Sequence, residues 1–213
     1  VLYLQGTPLS LGLLTPFSIV VGFLVCLGVL FDRFLWRLRL LHGWLVKRPD
    51  LRGTWRVDLY SEHIDPVTEI QMSPISGFAV ITQTFTNLQI HLMTTESESW
   101  LITDRILPSN KGPGYSLTGV YTNRPKLHLR GNRSEIHLGA LTVDTHGTRE
   151  SRPDKLEGEY WTDRGTKGGI VFSRFTDNIH TRYEDAKSAS GQRDCAQKCA
   201  RPDRLGLIPP DSS

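Results

Sequence analysis

The sequence predicts an N-terminal transmembrane helix followed by an all-β domain, a small closed antiparallel barrel of eight strands. Three observations carry that expectation. From Val1 through Phe31 there is no charged side chain. From Trp55 to Phe175 apolar and polar residues alternate in eight short runs, the period of a half-buried strand. Turn residues separate those runs, and no helical pattern intervenes. The 213 residues suffice for one domain of ordinary size plus an appendage.

The anchor comes first, over residues 1–48. About 20 apolar residues in a helix cross a hydrocarbon core, and a span is expected at about residues 16–36. Thr15-Pro16 suits a helix start, since Thr caps and Pro is welcome at the first helical position. Everything from Pro16 to Phe31 is apolar or small, and Phe34, Leu35 and Trp36 extend the run. Trp36 then falls at headgroup depth, while Arg33, Arg37 and Arg48 share one helical face. The spacing predicts one continuous helix that leaves the bilayer and runs along or away from its surface. A signal peptide would place its positive charges before the apolar run; here they come after it. Arg33, Arg37, Arg39, Lys47, Arg48 and Arg52 place the following domain in the cytoplasm by the positive-inside rule. Val1–Leu14 is apolar but too short for a second span and is broken by Gly6, Pro8 and Gly12.

The barrel domain is expected over 51–183. Its strands are read at Trp55–Leu59, 77–86, 88–95, 98–106, 114–122, 134–144, 155–163 and 168–175. Short connections make the order an antiparallel meander, and closure removes the sheet's exposed edges. Eight strands leave an interior filled by side chains or holding one small ligand. Gly53-x-Trp55 opens the first strand and Arg174 lies in the last. This is similar to calycin-type barrels (lipocalins and fatty-acid-binding proteins), where a first-strand Trp sits under a basic residue from the last. The pair is read as structural. From about Glu184 to Ser213 the composition is polar and without periodicity, and a disordered tail is expected.

Catalytic and metal chemistry find no support. There is no H-E-x-x-H, G-x-S-x-G or Walker A pattern. The seven histidines, His63 and His137 among them, are scattered, and Cys195-x-x-x-Cys199 has no partner pair for zinc. Cys26, Cys195 and Cys199 make no disulfide framework. Asn132-Arg-Ser134 is a formal glycosylation sequon without meaning on a cytosolic domain. A net charge of +3 does not argue for DNA or RNA. No cofactor is expected.

Polar and aromatic residues at strand positions stand out instead. Thr95, Ser97 and Ser99 share a face, as do Tyr121 and Asn123, and again Tyr160, Thr162 and Arg164; Gln83 lies within ITQTF. Rings stack on tyrosine, and Arg, Ser and Thr take phosphate oxygens. Serines and threonines on strands also commonly face water, and spacing alone leaves both readings open.

These same residues carry a family resemblance. L-x-G-T-W, I-T-Q-T-F, T-T-E-S-E-S, Y-T-N-R-P, I-H-L-G-A and L-E-G-E-Y-W-T-D-R-G-T-K-G-G-I, in that order from Leu51 to Phe175, resemble the SMODS-associating two-transmembrane, β-strand-rich effectors of bacterial CBASS antiphage defence. One span is visible rather than two, so either the first lies upstream of Val1 or Val1–Leu14 is its remnant. The resemblance implies a receptor, not an enzyme. A cyclic di- or trinucleotide made by a partner CD-NTase would bind the cytosolic barrel. The barrels would then associate, and their helices would disrupt the lipids of the bacterial inner membrane. The ligand contacts it implies are Gln83, Thr95, Ser97, Ser99, Tyr121, Asn123, Tyr160, Thr162 and Arg164. Two other readings remain: a membrane-tethered calycin-like carrier for a lipid or other apolar molecule, and a scaffold with a solid barrel.

Overall fold

The computed structural model describes residues 11–62, 74–129 and 135–199. All eight strands expected from the alternation are present: β1 (Gly53–Ser61), β2 (Ile75–Gln83), β3 (Leu88–Met93), β4 (Ser97–Pro108), β5 (Tyr115–Pro125), β6 (His137–His146), β7 (Lys155–Thr162) and β8 (Lys167–Thr176). Each pairs antiparallel with its neighbour in sequence, and β1 pairs with β8, so the sheet closes into a barrel. Most inward positions are apolar, and Val57, Ile81, Leu117, Val143 and Phe172 meet in one core. The expected inward–outward alternation is what selects this register, because a slip of one residue would turn every core side chain outward.

One end of the barrel is plugged. Trp55 and Arg174 are cross-strand partners, with the guanidinium 4.4 Å from the indole centroid. Arg174 donates from Nε to Pro153 O at 2.8 Å, from Nη1 to Arg52 O at 2.7 Å and from Nη2 to Asp50 O at 2.8 Å. The indole donates to Leu51 O at 2.8 Å. The pair is therefore structural, as its position in the sequence suggests. It seals the end at which the linker enters.

The N-terminal segment differs from the expectation in three ways. Helix α1 runs Leu11–Arg33, so Pro16 lies inside it rather than at its start. Proline's φ is helical, but at the sixth position, beyond the first turn, its missing N–H removes one i→i−4 hydrogen bond. Among the described residues no helix is long and apolar enough to cross a membrane. Nor does α1 continue past Arg33. The chain turns through two 3₁₀ turns, Leu35–Arg37 and Arg39–Leu41, because the barrel competes for its side chains. Trp36 is fully buried, 6.5 Å from the Phe85 ring and under the Arg52 guanidinium, rather than at a lipid interface. Asp32 Oδ1 accepts from Thr86 N at 2.9 Å and from Thr86 Oγ1 at 2.8 Å. Phe85 N donates to Asp32 O, and Arg48 Nη1 donates to Phe85 O at 2.6 Å. The end of α1 is thus clamped to the β2–β3 turn.

The expected disordered tail is a helix in its first half, α2 (Tyr183–Cys199). Ala186 and Ser190, four residues apart on one helical face, are buried. Ala186 packs with Phe78, Val80 and Met93 on the outer wall of β2 and β3. Tyr183 lies edge-on to Phe78 at 5.7 Å, and Arg56 hydrogen-bonds Ser190. A short polar helix with one small apolar stripe has too weak a period to be read in sequence; the apolar wall it covers stabilises it. Residues 1–10 of the expected span remnant, His63, the Asn132–Ser134 sequon, the side chains of Cys195 and Cys199, and residues 200–213 lie outside the described residues.

Candidate functional site: a polar-rimmed cavity in the barrel mouth

The unplugged end opens onto a cavity of about 460 Å³. Its floor is apolar, with Leu92, Leu141 and Phe172 among its walls; its rim is polar. The rim is assembled from three strands. On β5, Asn123 Nδ2 donates to Ser97 Oγ at 3.1 Å and to Ser99 Oγ at 2.9 Å on β4. The β3–β4 turn is tightened by Thr94, whose hydroxyl accepts from Ser97 N at 2.9 Å and Glu96 N at 3.3 Å. Tyr160 enters from β7 and is hydrogen-bonded with Ser61. Inward placement follows from parity along each strand. Ser97 and Ser99, Tyr121 and Asn123, and Tyr160 each sit an even number of residues from a core position.

Tyr121 owes its pose to a glycine. Gly139 is its direct partner on β6, and a Cβ at Gly139 would overlap Cζ and Oη of the Tyr121 ring. The ring's far end therefore lies against the backbone of the neighbouring strand, leaving the cavity open. Gly139→Ala is expected to push the ring into the cavity, reducing ligand affinity by roughly tenfold, equivalent to about 1.4 kcal/mol. Calorimetric titration of this variant beside the unaltered protein measures the loss, and equal affinities would refute the steric argument. Burial pushes the Tyr121 hydroxyl up to about 12, with Tyr160 and Asp163 acting in the same direction. It stays protonated at neutral pH and can donate. Burial also raises Tyr160, opposed by the Ser61 hydrogen bond and reinforced by Glu62.

Of the nine residues implied by resemblance, six line the cavity: Thr95, Ser97, Ser99, Tyr121, Asn123 and Tyr160. Thr162 and Arg164 lie just beyond, at the β7–β8 turn, where the Thr162 hydroxyl bonds Thr166 Oγ1 at 2.6 Å. Gln83 lies at the opposite, plugged end. Its Oε1 accepts from Leu51 N at 2.8 Å and its Nε2 donates to Pro49 O at 2.9 Å. Gln83→Ala would orphan a buried backbone donor and acceptor at about 1–3 kcal/mol each. A lowered denaturation midpoint with ligand affinity retained is the expected outcome. The sequence reading missed Ser76, Thr94, Glu96 and the apolar floor as lining residues. Thr94 and Glu96 stand inside the TTESES run; the floor residues carry no signal beyond that of a core.

Among the described residues no His, Cys, Asp or Glu cluster could hold a metal ion, and none of the residues lining the cavity is Lys, Arg or His. The site offers hydroxyls, amides, tyrosine rings and an apolar floor. A barrel closed on itself, plugged below and open above onto such a cavity, is a ligand-binding barrel. Residues 46–174 match the family model described as Cap15, cyclic dinucleotide receptor domain. The chain belongs to this family, a family of CBASS effectors whose domain is a receptor rather than a catalyst. A comparison with curated proteins gave no match.

Proposed function

We propose that this chain is a membrane-attached CBASS effector that senses a cyclic dinucleotide in its barrel mouth. The observation that carries the reading is the cavity of about 460 Å³ with Ser97, Ser99, Asn123, Tyr121 and Tyr160 at its rim. It falls within the usual size of small-molecule sites. Tyrosine rings suit stacking on a nucleobase, and the serine–asparagine cluster suits its polar edge. With no Lys, Arg or His among the described lining residues, the ligand's phosphates belong at the rim, near Arg164 on the β7–β8 turn.

Attachment to the bacterial inner membrane with the barrel in the cytoplasm is part of the same reading. Its support is α1, whose described side chains from Phe17 to Leu30 are apolar or small and exposed on every side, a pattern that calls for a bilayer or neighbouring helices. Copies held in one membrane are already concentrated, so a small ligand-linked gain per contact drives assembly and brings the helices together. The two-transmembrane subtype, the clustering and the disruption of the membrane that aborts phage infection belong to this proposal.

The apolar floor favours a second reading, a carrier for a lipid. Calorimetry on the full chain in nanodiscs separates the two. Cyclic di- and trinucleotides should give saturable heat and a fluorescent fatty acid none. The reverse result refutes the receptor reading, and silence with both favours a scaffold.

A further inference from the structure

The segment after α1 carries a surface of its own. Between Phe34 and Leu45 the chain folds into its two 3₁₀ turns with Trp36 turned into the protein. Five of its other large apolar side chains turn outward, while Leu35 and Leu41 are half-buried. Leu40 is 89% exposed and Trp44 79%, and Phe34, Leu38 and Leu45 are each more than half exposed. From Arg33 to Lys47 the sequence has four cations, Arg33, Arg37, Arg39 and Lys47, and no Asp or Glu. Arg33, Arg39 and Lys47 are exposed. The nearest carboxylate, Asp32, is engaged by Thr86. The segment is not a strand or a regular helix, so its pattern serves no local periodicity. It lies at the plugged end, where α1 joins, and opposite the ligand mouth.

From this we infer that residues 34–47 form a second lipid-contacting surface, a wedge that dips into the headgroup layer and binds anionic phospholipids. Exposed leucines with a tryptophan favour the boundary between headgroups and acyl chains, where an indole is at home. The cations beside them meet lipid phosphates, each strengthening contact with an anionic surface by roughly fivefold. The inference rests on the membrane attachment proposed above and adds to it. The clamp of Asp32 and Phe31 on the β2–β3 turn fixes the wedge to the barrel. The surface therefore sets the barrel's height and tilt, holding the ligand mouth toward the cytosol.

The test uses the full chain with its three cysteines replaced by serine and one new cysteine, Leu40→Cys, carrying an environment-sensitive dye. Leu138→Cys, near the mouth, is the control. The protein is reconstituted in vesicles of phosphatidylcholine with phosphatidylglycerol, or of phosphatidylcholine alone, doped with lipids bearing a nitroxide near the headgroup or near the chain end. The dye at position 40 should shift to the blue and be quenched best by the shallow nitroxide, while the dye at 138 stays water-like. Arg39→Glu with Lys47→Glu should reduce that quenching several-fold in the anionic vesicles and leave it unchanged in the neutral ones. Water-like emission at position 40 from protein attached to vesicles overturns the wedge alone. Protein that fails to float with either vesicle overturns both the wedge and the attachment beneath it.

Discussion

Trp55→Ala should lower the stability of the barrel by about 3–5 kcal/mol. The indole is fully buried and makes three contributions at the plugged end. It fills the plugged end, donates to Leu51 O and supplies the ring on which Arg174 rests at 4.4 Å. Deleting it leaves a cavity beneath a guanidinium that holds the backbones of Asp50, Arg52 and Pro153 together. Since a domain's whole stability is about 5–15 kcal/mol, the loss is a large share of the total. Trp55→Phe should fall between, keeping an aromatic face for the cation but no N–H for Leu51. Denaturant unfolding followed by circular dichroism measures both variants. A loss below about 1 kcal/mol for the alanine would show that the plug is not what holds β1 to β8.

Tyr121→Ala should act in the opposite way, sparing the fold and weakening the ligand. A nucleobase stacked on an aromatic side chain is stabilised by about 1–3 kcal/mol, so a Kd increase of roughly 5- to 150-fold is expected. Tyr121→Phe isolates the ring from the hydroxyl: retained affinity would assign the contact to stacking, and a matching loss would assign it to the donor. Titrating both with the cyclic dinucleotide that gives the strongest heat with the unaltered protein measures the effect. Unchanged affinity in Tyr121→Ala would remove the residue from the site. Gly139, which shapes the room beside the ring, ties this outcome to that of Gly139→Ala. In the Tyr121→Ala background the part of the methyl's effect that passes through the ring should vanish, leaving only its close approach to Trp161 O at 2.8 Å.

The candidate site was legible only by halves. That Ser97 and Ser99 share a face, as do Tyr121 and Asn123, was visible because parity along a strand is local; that these faces and Tyr160 belong to a site came from the family resemblance. Gln83 has the same parity and polarity, yet its amide is taken up by the linker backbone at the other end of the barrel. Thr162 and Arg164 continue the face of Tyr160 but pass beyond the cavity into the turn. Which of several equivalent polar positions share one opening depends on strand stagger and on which end the chain plugs. Neither is written in any short window of sequence.

By itself the sequence determined eight alternating strands, their meander order, the Trp55–Arg174 closure and an uncharged N-terminal run. The strands and the run follow from a period of two or from simple absence of charge, and the Trp55–Arg174 pair from its likeness to calycin-type barrels. Tertiary structure decided where α1 stops, because Trp36 is drawn into the barrel's end and Asp32 finds Thr86. It decided that Tyr183–Cys199 is a helix, because β2 and β3 present Phe78, Val80 and Met93 to be covered. It also decided that Tyr121 leaves a cavity rather than filling one, because its cross-strand partner is a glycine. Each of those outcomes is a contact between residues far apart in the chain, and its energy exists only once the barrel has closed.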